Sequence, residues 1–592
     1  TDSSGTAPLS NHYGVIIKAD ADKNKVGGNT AAERNIISAN LEIGLYIEAS
    51  DSNTVSGNFI GTDVSGTGTF ANGDTLIQAN GVEINTVSKY NLIGGNTAGE
   101  RNIISGNRVY GAIYYGQVSQ NNIAGNYIGT DVTGSYSIPN ATGICVDDAS
   151  NHNTVENNLL SGNISYGIFI VTTGSNYNIF RGNLVGTNAT GTDTIPNDAG
   201  LLLAGGTKYN VIGGSSVSDR NIFSGNHYGG IEISDNGTDH NEISGNFIGT
   251  DNSGNNALPN LFGIGISNLS TGTLIANNII SGNETFGIVL TDNTDSNMVA
   301  GNLIGVGSDG ITDLGNGASG IGLNNGARNN FIGTTGNGNI IAYNDSAGIA
   351  ITDNATINNK ISANSIYDND YLGIEILPEG VNPNDAGDND IGANNLMNFP
   401  VILTTGYNPA TGYTFITGTL DTQSPQNVTV EIFKSEPDLF FNHGEGKTYL
   451  GNTTPNISGY WIISVEGLTD GDAITATATD ENGNTSEFSL NTATIIGIEG
   501  NGISGSGFSV YPNPTGSDAV VSYNLEEKTY VEISLSDYTG KGIKPVISGW
   551  QDKGEQNIRI SIDDPALSAG IYFVKIMMNN ENMTFLKLNV IK

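Results

Sequence analysis

Four aspartates recur at one place in this sequence, each shortly after a glycine that opens an apolar run: Asp148, Asp235, Asp292 and Asp353. Carboxylates in pairs are what glycoside hydrolysis requires, about 5–5.5 Å apart for retention and about 6.5–9.5 Å for inversion. A polysaccharide lyase would instead need a base, Lys, Arg or His, beside calcium or another neutraliser of the substrate carboxylate. His152, His227 and His240 are scattered on turn-like segments without evident partners, and residues 14–377 hold only 12 Lys and Arg. Asp385, Asp388 and Asp390 lie on an acidic, Gly-containing loop whose alternate oxygens could hold calcium. No Glu closes that loop, and a solvated acidic turn is the alternative reading. Tyr110, Tyr114 and Tyr115, with Tyr136 nearby, could stack on sugar rings while their hydroxyls hydrogen-bond. Ordinary packing under a neighbouring segment would use them equally well.

The elements that must carry these residues repeat. A Gly followed by alternating apolar residues starts at Gly14, Gly44, Gly81, Gly111, Gly143, Gly167 and Gly200, and again at Gly230, Gly263, Gly287, Gly320, Gly348 and Gly373. These thirteen starts enclose twelve units, of which the shortest, 143–166 and 263–286, are 24 residues long. Three short strands per unit, with Asn and Gly at the corners, predict a parallel β-helix of about 12 coils. Each coil buries its apolar face only against its neighbours, about 4.8 Å away. Asn107, Asn163, Asn226 and Asn283 close corners and are expected to hydrogen-bond from coil to coil. On that spacing, Asp148, Asp235, Asp292 and Asp353 fall in coils 5, 8, 10 and 12, so no two are adjacent. The row gives no retaining pair and only a loose inverting one.

Longer units carry two insertions. One is a Gly-Thr-Asp arm, as at 61–63, 129–131 and 249–251, with Gly186-Thr187-Asn188 as a variant. The other is a Gly-Gly turn leading to Glu33-Arg34-Asn35, Glu100-Arg101-Asn102 or Asp219-Arg220-Asn221. An Arg repeated at one place in the unit reads as a local tie between arm and coil rather than a catalytic group. In the Gly-led strand, Ile16, Tyr46, Ile113, Phe169, Leu202 and Val289 should point outward. A row so apolar is expected to be covered by arms, or else to be a contact surface. Cys145 shares it, and nothing marks that thiol as a nucleophile. Thr1–Asn11 aligns with Thr130–Asn140, so Thr1 falls inside an arm, and the chain is expected to be a fragment of a longer repeat protein.

Composition narrows the partners. Among 592 residues, Gly is 82 and Asn 80, with 22 basic against 59 acidic side chains and a net charge of −37. Such a balance excludes nucleic acid and anionic membrane surfaces as partners. One cysteine excludes a disulfide framework, and no apolar run is long enough to span a membrane. Of the 80 Asn, 64 precede residue 399, after which strand patterns alternate. The expected organisation is therefore a β-helix over 1–397 with an acidic junction at 380–397, then an immunoglobulin-sized antiparallel β-sandwich over 398–496. A Gly/Ser linker at 497–507 and a last β-sandwich domain over 508–592 complete it.

Three resemblances follow from these residues. The Gly-Ile and Asn-x-Ile units resemble the right-handed parallel β-helix repeats of the pectate-lyase-like superfamily, which hosts lyases, hydrolases, phage spikes and adhesins alike. Asp147-Asp148 resembles an adjacent-Asp motif of polygalacturonases, but the accompanying Gly-His-Gly and Arg-x-Lys motifs are absent. Phe508–Thr515, Leu567–Val574 and the Lys-bearing end Leu586–Lys592 resemble the type A C-terminal sorting domain of the type IX secretion system. That resemblance implies a Bacteroidota-type bacterium, recognition of residues 508–592 by the secretion machinery, and export across the outer membrane to the medium or cell surface. Asp74-Thr75-Leu76, Asp193-Thr194-Ile195 and Asp345-Ser346-Ala347 also resemble the short O-glycosylation motif of such organisms. The expectation is an all-β, secreted or surface protein that binds glycan, matrix or protein, or serves structurally, with the sandwich as spacer. A polysaccharide lyase or glycoside hydrolase of the same fold is the alternative.

Overall fold

The thirteen Gly-led runs become the strands of one sheet. The computed structural model describes residues 4–5, 7–69, 80–408, 411–436, 441–494, 508–513, 515–516, 518–537, 542–561, 567–568, 570–579 and 582–590. Thr1–Ser3, Asp74-Thr75-Leu76 and the linker Gly500–Gly507 lie outside these residues. The chain divides into two units, the first Thr1–Thr404, Ile416–Gly467 and Asp472–Ala493, the second Thr405–Phe415, Leu468–Gly471 and Thr494–Lys592.

Three parallel sheets make up most of the first unit. Sheet A has 13 strands, from Tyr13–Lys18 to Ile374–Ile376; sheet B has 12, from Lys25–Gly27 to Lys360–Ile361; sheet C has 12, from Ile36–Ile37 to Ser365–Tyr367. Every strand pairs with its counterpart one coil on, so identical positions stack: Ala112, Ile144, Ile168, Leu201 and Ile231 form one inward row. Their side chains are fully buried in a single continuous core. The chain is all-β, a parallel β-helix of about 12 coils followed by small antiparallel sheets.

Asparagine holds the corners. Asn126 donates from both its backbone N–H and its Nδ2 to Asn158 Oδ1, at 2.9 and 3.0 Å. Asn158 does the same to Asn183 Oδ1, at 3.1 Å each, and adds a bond to the Ile123 carbonyl at 2.9 Å. Asn107, Asn163, Asn226 and Asn283 take part in an equivalent ladder with Asn140, Asn197, Asn260 and Asn316. The amides are buried and every one is satisfied by a neighbouring coil, as a buried polar group must be.

The arms cover sheet C, not sheet A. Successive Gly-Thr-Asp arms bond to one another through Val132 N–H to Gly66 O, Ala189 N–H to Gly134 O and Asn252 N–H to Gly191 O, at 2.9–3.0 Å. Gly66 lies on the Phe59 ring, Gly134 on Tyr127 and Gly254 on Phe247, all outward residues of sheet C, where a Cβ would collide with the ring at 2.8–2.9 Å. Each repeated Arg also lies over one of these rings: Arg34, Arg101 and Arg220 at 4.1, 3.9 and 3.8 Å from Phe59, Tyr127 and Phe247. The expected tie of arm to coil is thus a cation–π contact. The neighbouring acid closes its own turn instead, as Glu33 does by accepting the Thr30 hydroxyl at 2.8 Å.

The last coil is closed by the sheets that follow. A four-stranded antiparallel sheet comprises Gly446–Thr453, Thr429–Ser435, Ala473–Thr479 and Thr492–Ala493; a three-stranded one comprises Val401–Asn408, Tyr413–Thr419 and Tyr460–Val465. Glu431 accepts the Ser362 hydroxyl at 2.6 Å and the Ala363 N–H at 3.0 Å. Glu445 accepts Asn369 N–H and Nδ2 at 3.1 and 2.8 Å, and Glu487 accepts the Ile376 N–H at 3.2 Å. Phe433 and Phe488 complete the β-helix core. The segment expected as a spacer therefore supplies the cap that an open sheet edge needs. In the second unit, strands Ser509–Tyr511, Ala519–Leu525 and Gly554–Ile560 form one antiparallel sheet. Gly542–Gln551, Thr529–Asp537, Gly570–Met578 and Asn582–Val590 form another, around Val521, Val531, Ile533, Val574 and Leu588.

Two predictions follow from these contacts. Asn183→Ala strips a buried amide from four partners. It should cost about 3–5 kcal/mol of local stability, read by native-state hydrogen exchange in the flanking coils. Burial pushes the carboxyls of Glu375, in the last strand of sheet A, and of Glu487, in the cap, up to about 8 and about 7. The folded state then holds these protons more tightly than the unfolded chain, so the stability they contribute is complete at acid pH and lost as pH rises through 7–8. Proteolysis of the last coils should accelerate between about pH 5 and about pH 9, and Glu375→Gln should flatten that dependence.

Candidate functional site

Strand alternation turns every second residue of sheet A outward. The stacked row runs Ile16, Tyr46, Glu83, Ile113, Cys145, Phe169, Leu202, Glu232, Gly265 and Val289. With the arms on sheet C, aromatic side chains from sheet A itself cover this row. The Tyr166 and Phe169 rings stack at 5.2 Å, and Tyr228 meets Phe262 edge-on at 5.0 Å. Phe262 crosses Gly265, where a Cβ would come within 2.9 Å of its ring, so glycine is what lets the ring lie flat on the sheet. Tyr13 stacks on Tyr46 at 5.8 Å. The result is a strip of partly buried rings along the outer face, of which Tyr228 is the most open at 48% exposed.

The ionisable groups among these rings are acidic. Burial, then the charge of Asp198, pushes the Glu232 carboxyl up to about 7, and its Oε1 is buried without a hydrogen-bond partner. The Tyr166 phenol is raised by burial and then by Glu232 and Asp198. Glu232 thus stands protonated at mildly acid pH, a neutral hydrogen-bond donor on an apolar sheet. Cys145 lies under Tyr110, and burial pushes its thiol far up, which leaves it inert as the sequence suggests.

The tyrosine cluster is split. Tyr110 sits half-buried over the outer face of sheet A, Tyr115 is 40% exposed and Tyr136 is 73% exposed on an arm. Tyr114 is in register with the inward residues Ile84 and Val146; it is fully buried, and its hydroxyl donates to the Thr154 carbonyl at 3.3 Å. It cannot stack on a sugar. Of the repeated aspartates, Asp292 and Asp353 both accept from Asn325, at 3.2 and 2.6 Å. Asp235 accepts the Gly205 N–H at 3.0 Å and Asp353 the Asn325 N–H at 2.6 Å, each tying a turn to the preceding coil. Asp147 accepts the Thr172 hydroxyl from the following coil.

Sequence reasoning missed one feature. His152, Tyr177, Tyr209 and His240 stack as a ladder, with ring centroids 5.0, 5.1 and 5.4 Å apart. All four adopt left-handed backbone, φ 54–58°, at the residue just before a ladder asparagine. Their place immediately before Asn153, Asn178, Asn210 and Asn241 was the available signal. The ladder runs over four successive coils, with Tyr177 and Tyr209 48% and 43% exposed.

The acidic junction does converge. One oxygen each from Asp385, Asp388 and Asp390 lies within 4.8 Å of the others. Asp388 accepts the Asn398 N–H at 2.9 Å, while Asp390 Oδ1 is buried without a partner. Burial, then the charges of Asp390, Asp385 and Asp480, pushes Asp388 up to about 6. A groove of about 380 Å³ beside them is lined by Asp388, Asp390, Asp480 and Glu481. An oxygen-only, anionic set of this kind suits a hard divalent cation.

Comparison with known proteins identifies one end of the chain. Residues 509–591 match the secretion system C-terminal sorting domain. The protein therefore carries the sorting signal of type IX secretion, engages that machinery, and is exported across the outer membrane to the cell surface or extracellular space. Among the described residues no helix is long and apolar enough to cross a membrane. Similar solved structures include the periplasmic alginate epimerase AlgG, 15% identical over 57% of this chain and 74% of that one, with a TM-score of 0.27. The A-module of mannuronan C-5 epimerase AlgE6 from Azotobacter vinelandii is 12% identical over 61% and 90%, with a TM-score of 0.30. The enzymatically active domain of tailspike protein 2 from bacteriophage CBA120 is 13% identical over 90% and 78%, also at 0.30. Likeness this remote says nothing of activity. No curated protein matches the sequence.

Proposed function

We propose that this exported β-helix protein binds glycans along the outer face of sheet A. The supporting observation is the strip of rings that the arms leave open: Tyr13 and Tyr46, Tyr166 and Phe169, Tyr228 and Phe262. Rings flat on a sheet offer faces to sugar C–H groups, and their phenols offer hydrogen bonds. Glu83, Asp198 and Glu232 on the same face supply acceptors, or in the case of Glu232 a neutral donor, for sugar hydroxyls. Their negative charge disfavours anionic polymers, so neutral glycans are the class this face fits. Affinity electrophoresis in neutral polysaccharide gels should retard the protein, and Tyr166→Ala or Tyr228→Ala should weaken retardation about tenfold. Release of reducing ends or unsaturated products from any polymer would overturn this reading in favour of a lyase or hydrolase.

We further propose that Asp385, Asp388 and Asp390 hold calcium, which neutralises three carboxylates gathered at the junction. Calcium at a hundredfold excess over its Kd should stabilise the fold by about 2.7 kcal/mol. Thermal unfolding should register that gain at neutral pH, lose it with Asp388→Asn, and lose it again as acid protonates Asp388 below about 6. An unfolding temperature indifferent to calcium would refute the site.

A further inference from the structure

The two kinds of arm border an open groove of about 550 Å³ on the surface of sheets B and C. Its floor includes Phe247, Leu274, Ile279 and Leu303. Leu274 and Ile279 belong to the coil that starts at Gly263, one of the two 24-residue coils that carry neither arm. The Gly-Gly arm is missing here, while the arms that follow Gly249 and Gly305 meet, Ser308 N–H donating to the Gly254 carbonyl at 2.9 Å. One wall brings Ser216 and Arg220 from the Gly-Gly arm; the other brings Ser253 from the Gly-Thr-Asp arm at 249–251 and Ser308 from the arm that follows Gly305; Glu242 and Ser244 come from sheet B.

Arg220 differs from its two counterparts. Arg34 donates through Nε to the Gly57 carbonyl, and Arg101 to the Gly125 carbonyl, both at 3.3 Å. Arg220 lies over Phe247 as they lie over their rings, yet its Nε is buried with no hydrogen-bond partner. Gly245, which stands where Gly57 and Gly125 do, takes no bond from it. Its neighbour Asp219 is turned toward Arg181, at 3.8 Å. Burial alone disfavours the charge of Arg220. A half-buried guanidinium with an unpaired donor is stabilised by an anionic acceptor, best by a carboxylate that matches its fork. The rest of the lining asks for hydroxyls: Glu242, which accepts the Ser244 hydroxyl at 2.7 Å, and the serines of both walls. The apolar floor asks for a C–H face.

We propose that this groove binds a carboxylated sugar unit, with Arg220 on the carboxylate, Glu242 and the wall serines on ring hydroxyls, and Leu274 and Ile279 beneath the ring. The site is chemically opposite to the acidic face of sheet A and independent of it.

The test is titration of the full chain with D-glucuronate, D-glucose and inorganic sulfate, followed by calorimetry or saturation-transfer NMR. Glucuronate should bind, glucose should bind at least tenfold more weakly, and sulfate should compete poorly. Arg220→Met should weaken glucuronate at least tenfold. Arg220→Lys, which keeps the charge and stem, should also weaken it because the fork is lost. Arg101→Met and Tyr228→Ala should leave it unchanged, which separates this site from its sister arm and from sheet A. Unaltered thermal unfolding of the Lys variant guards against misfolding. Equal binding of glucose and glucuronate, displacement by sulfate at equal concentration, or wild-type binding by both Arg220 variants would each overturn the proposal.

Discussion

One hydrogen bond, repeated in one direction, organises this molecule. At each corner an asparagine accepts from the coil before it and donates, through both its backbone N–H and its amide, to the coil after it, as Asn126, Asn158 and Asn183 do in turn. Aligned amides of this kind polarise one another, and in a low-dielectric interior an interruption is expensive. The ladder also leaves donors at its C-terminal end. There the protein places carboxyl acceptors: Glu445 on Asn369, Glu431 on Ser362 and Ala363, Glu487 on Ile376. The polarity of the ladder accounts for why the cap is made of glutamates.

The same geometry separates the faces of the coil. Inward rows are occupied mostly by aliphatic side chains, and the outward row of sheet C is roofed by arms and arginines. Sheet A has no such roof. Its rings and carboxylates are therefore the surface that an exported protein presents along many coils, and regular stacking repeats any chemistry that one coil offers. Departures from regularity matter more. A groove lies beside the coil that lacks the Gly-Gly arm, and the third copy of the arginine arm lacks a bond that the first two make.

Net charge and export fit together. A protein with 59 acids against 22 bases has little affinity for anionic surfaces. The acids are not spread idly: some cap turns, as Asp131 does for Ser135 and Tyr136, some cap the helix, and three meet at residues 385–390. Where they meet, burial raises the affinity of Asp388 and Asp390 for protons, and acid and cation become alternative ways of relieving the same repulsion.

The sequence alone determined whatever depends on periodicity. A glycine, an alternating apolar run and a corner asparagine, repeated thirteen times, leave few ways to bury the apolar residues other than stacked coils. Asn107, Asn163, Asn226 and Asn283 could be assigned because their role is local to a corner. The sorting domain was legible because Phe508–Thr515 and Leu567–Val574 form a pattern of their own. What joins residues distant along the chain was not legible. Which sheet the arms cover depends on the direction in which each insertion leaves its corner, and they chose sheet C. Tyr110, Tyr114 and Tyr115 look alike in sequence, yet strand alternation sends Tyr114 into the core. His152, Tyr177, Tyr209 and His240 are 25–32 residues apart and meet only through the rise of the coil. Glu431, Glu445 and Glu487 reach the last coil from across 69–111 residues of chain. Periodicity specifies a neighbour one repeat away, whereas a cap, a covered face or an open groove is decided by where the repeat stops or changes.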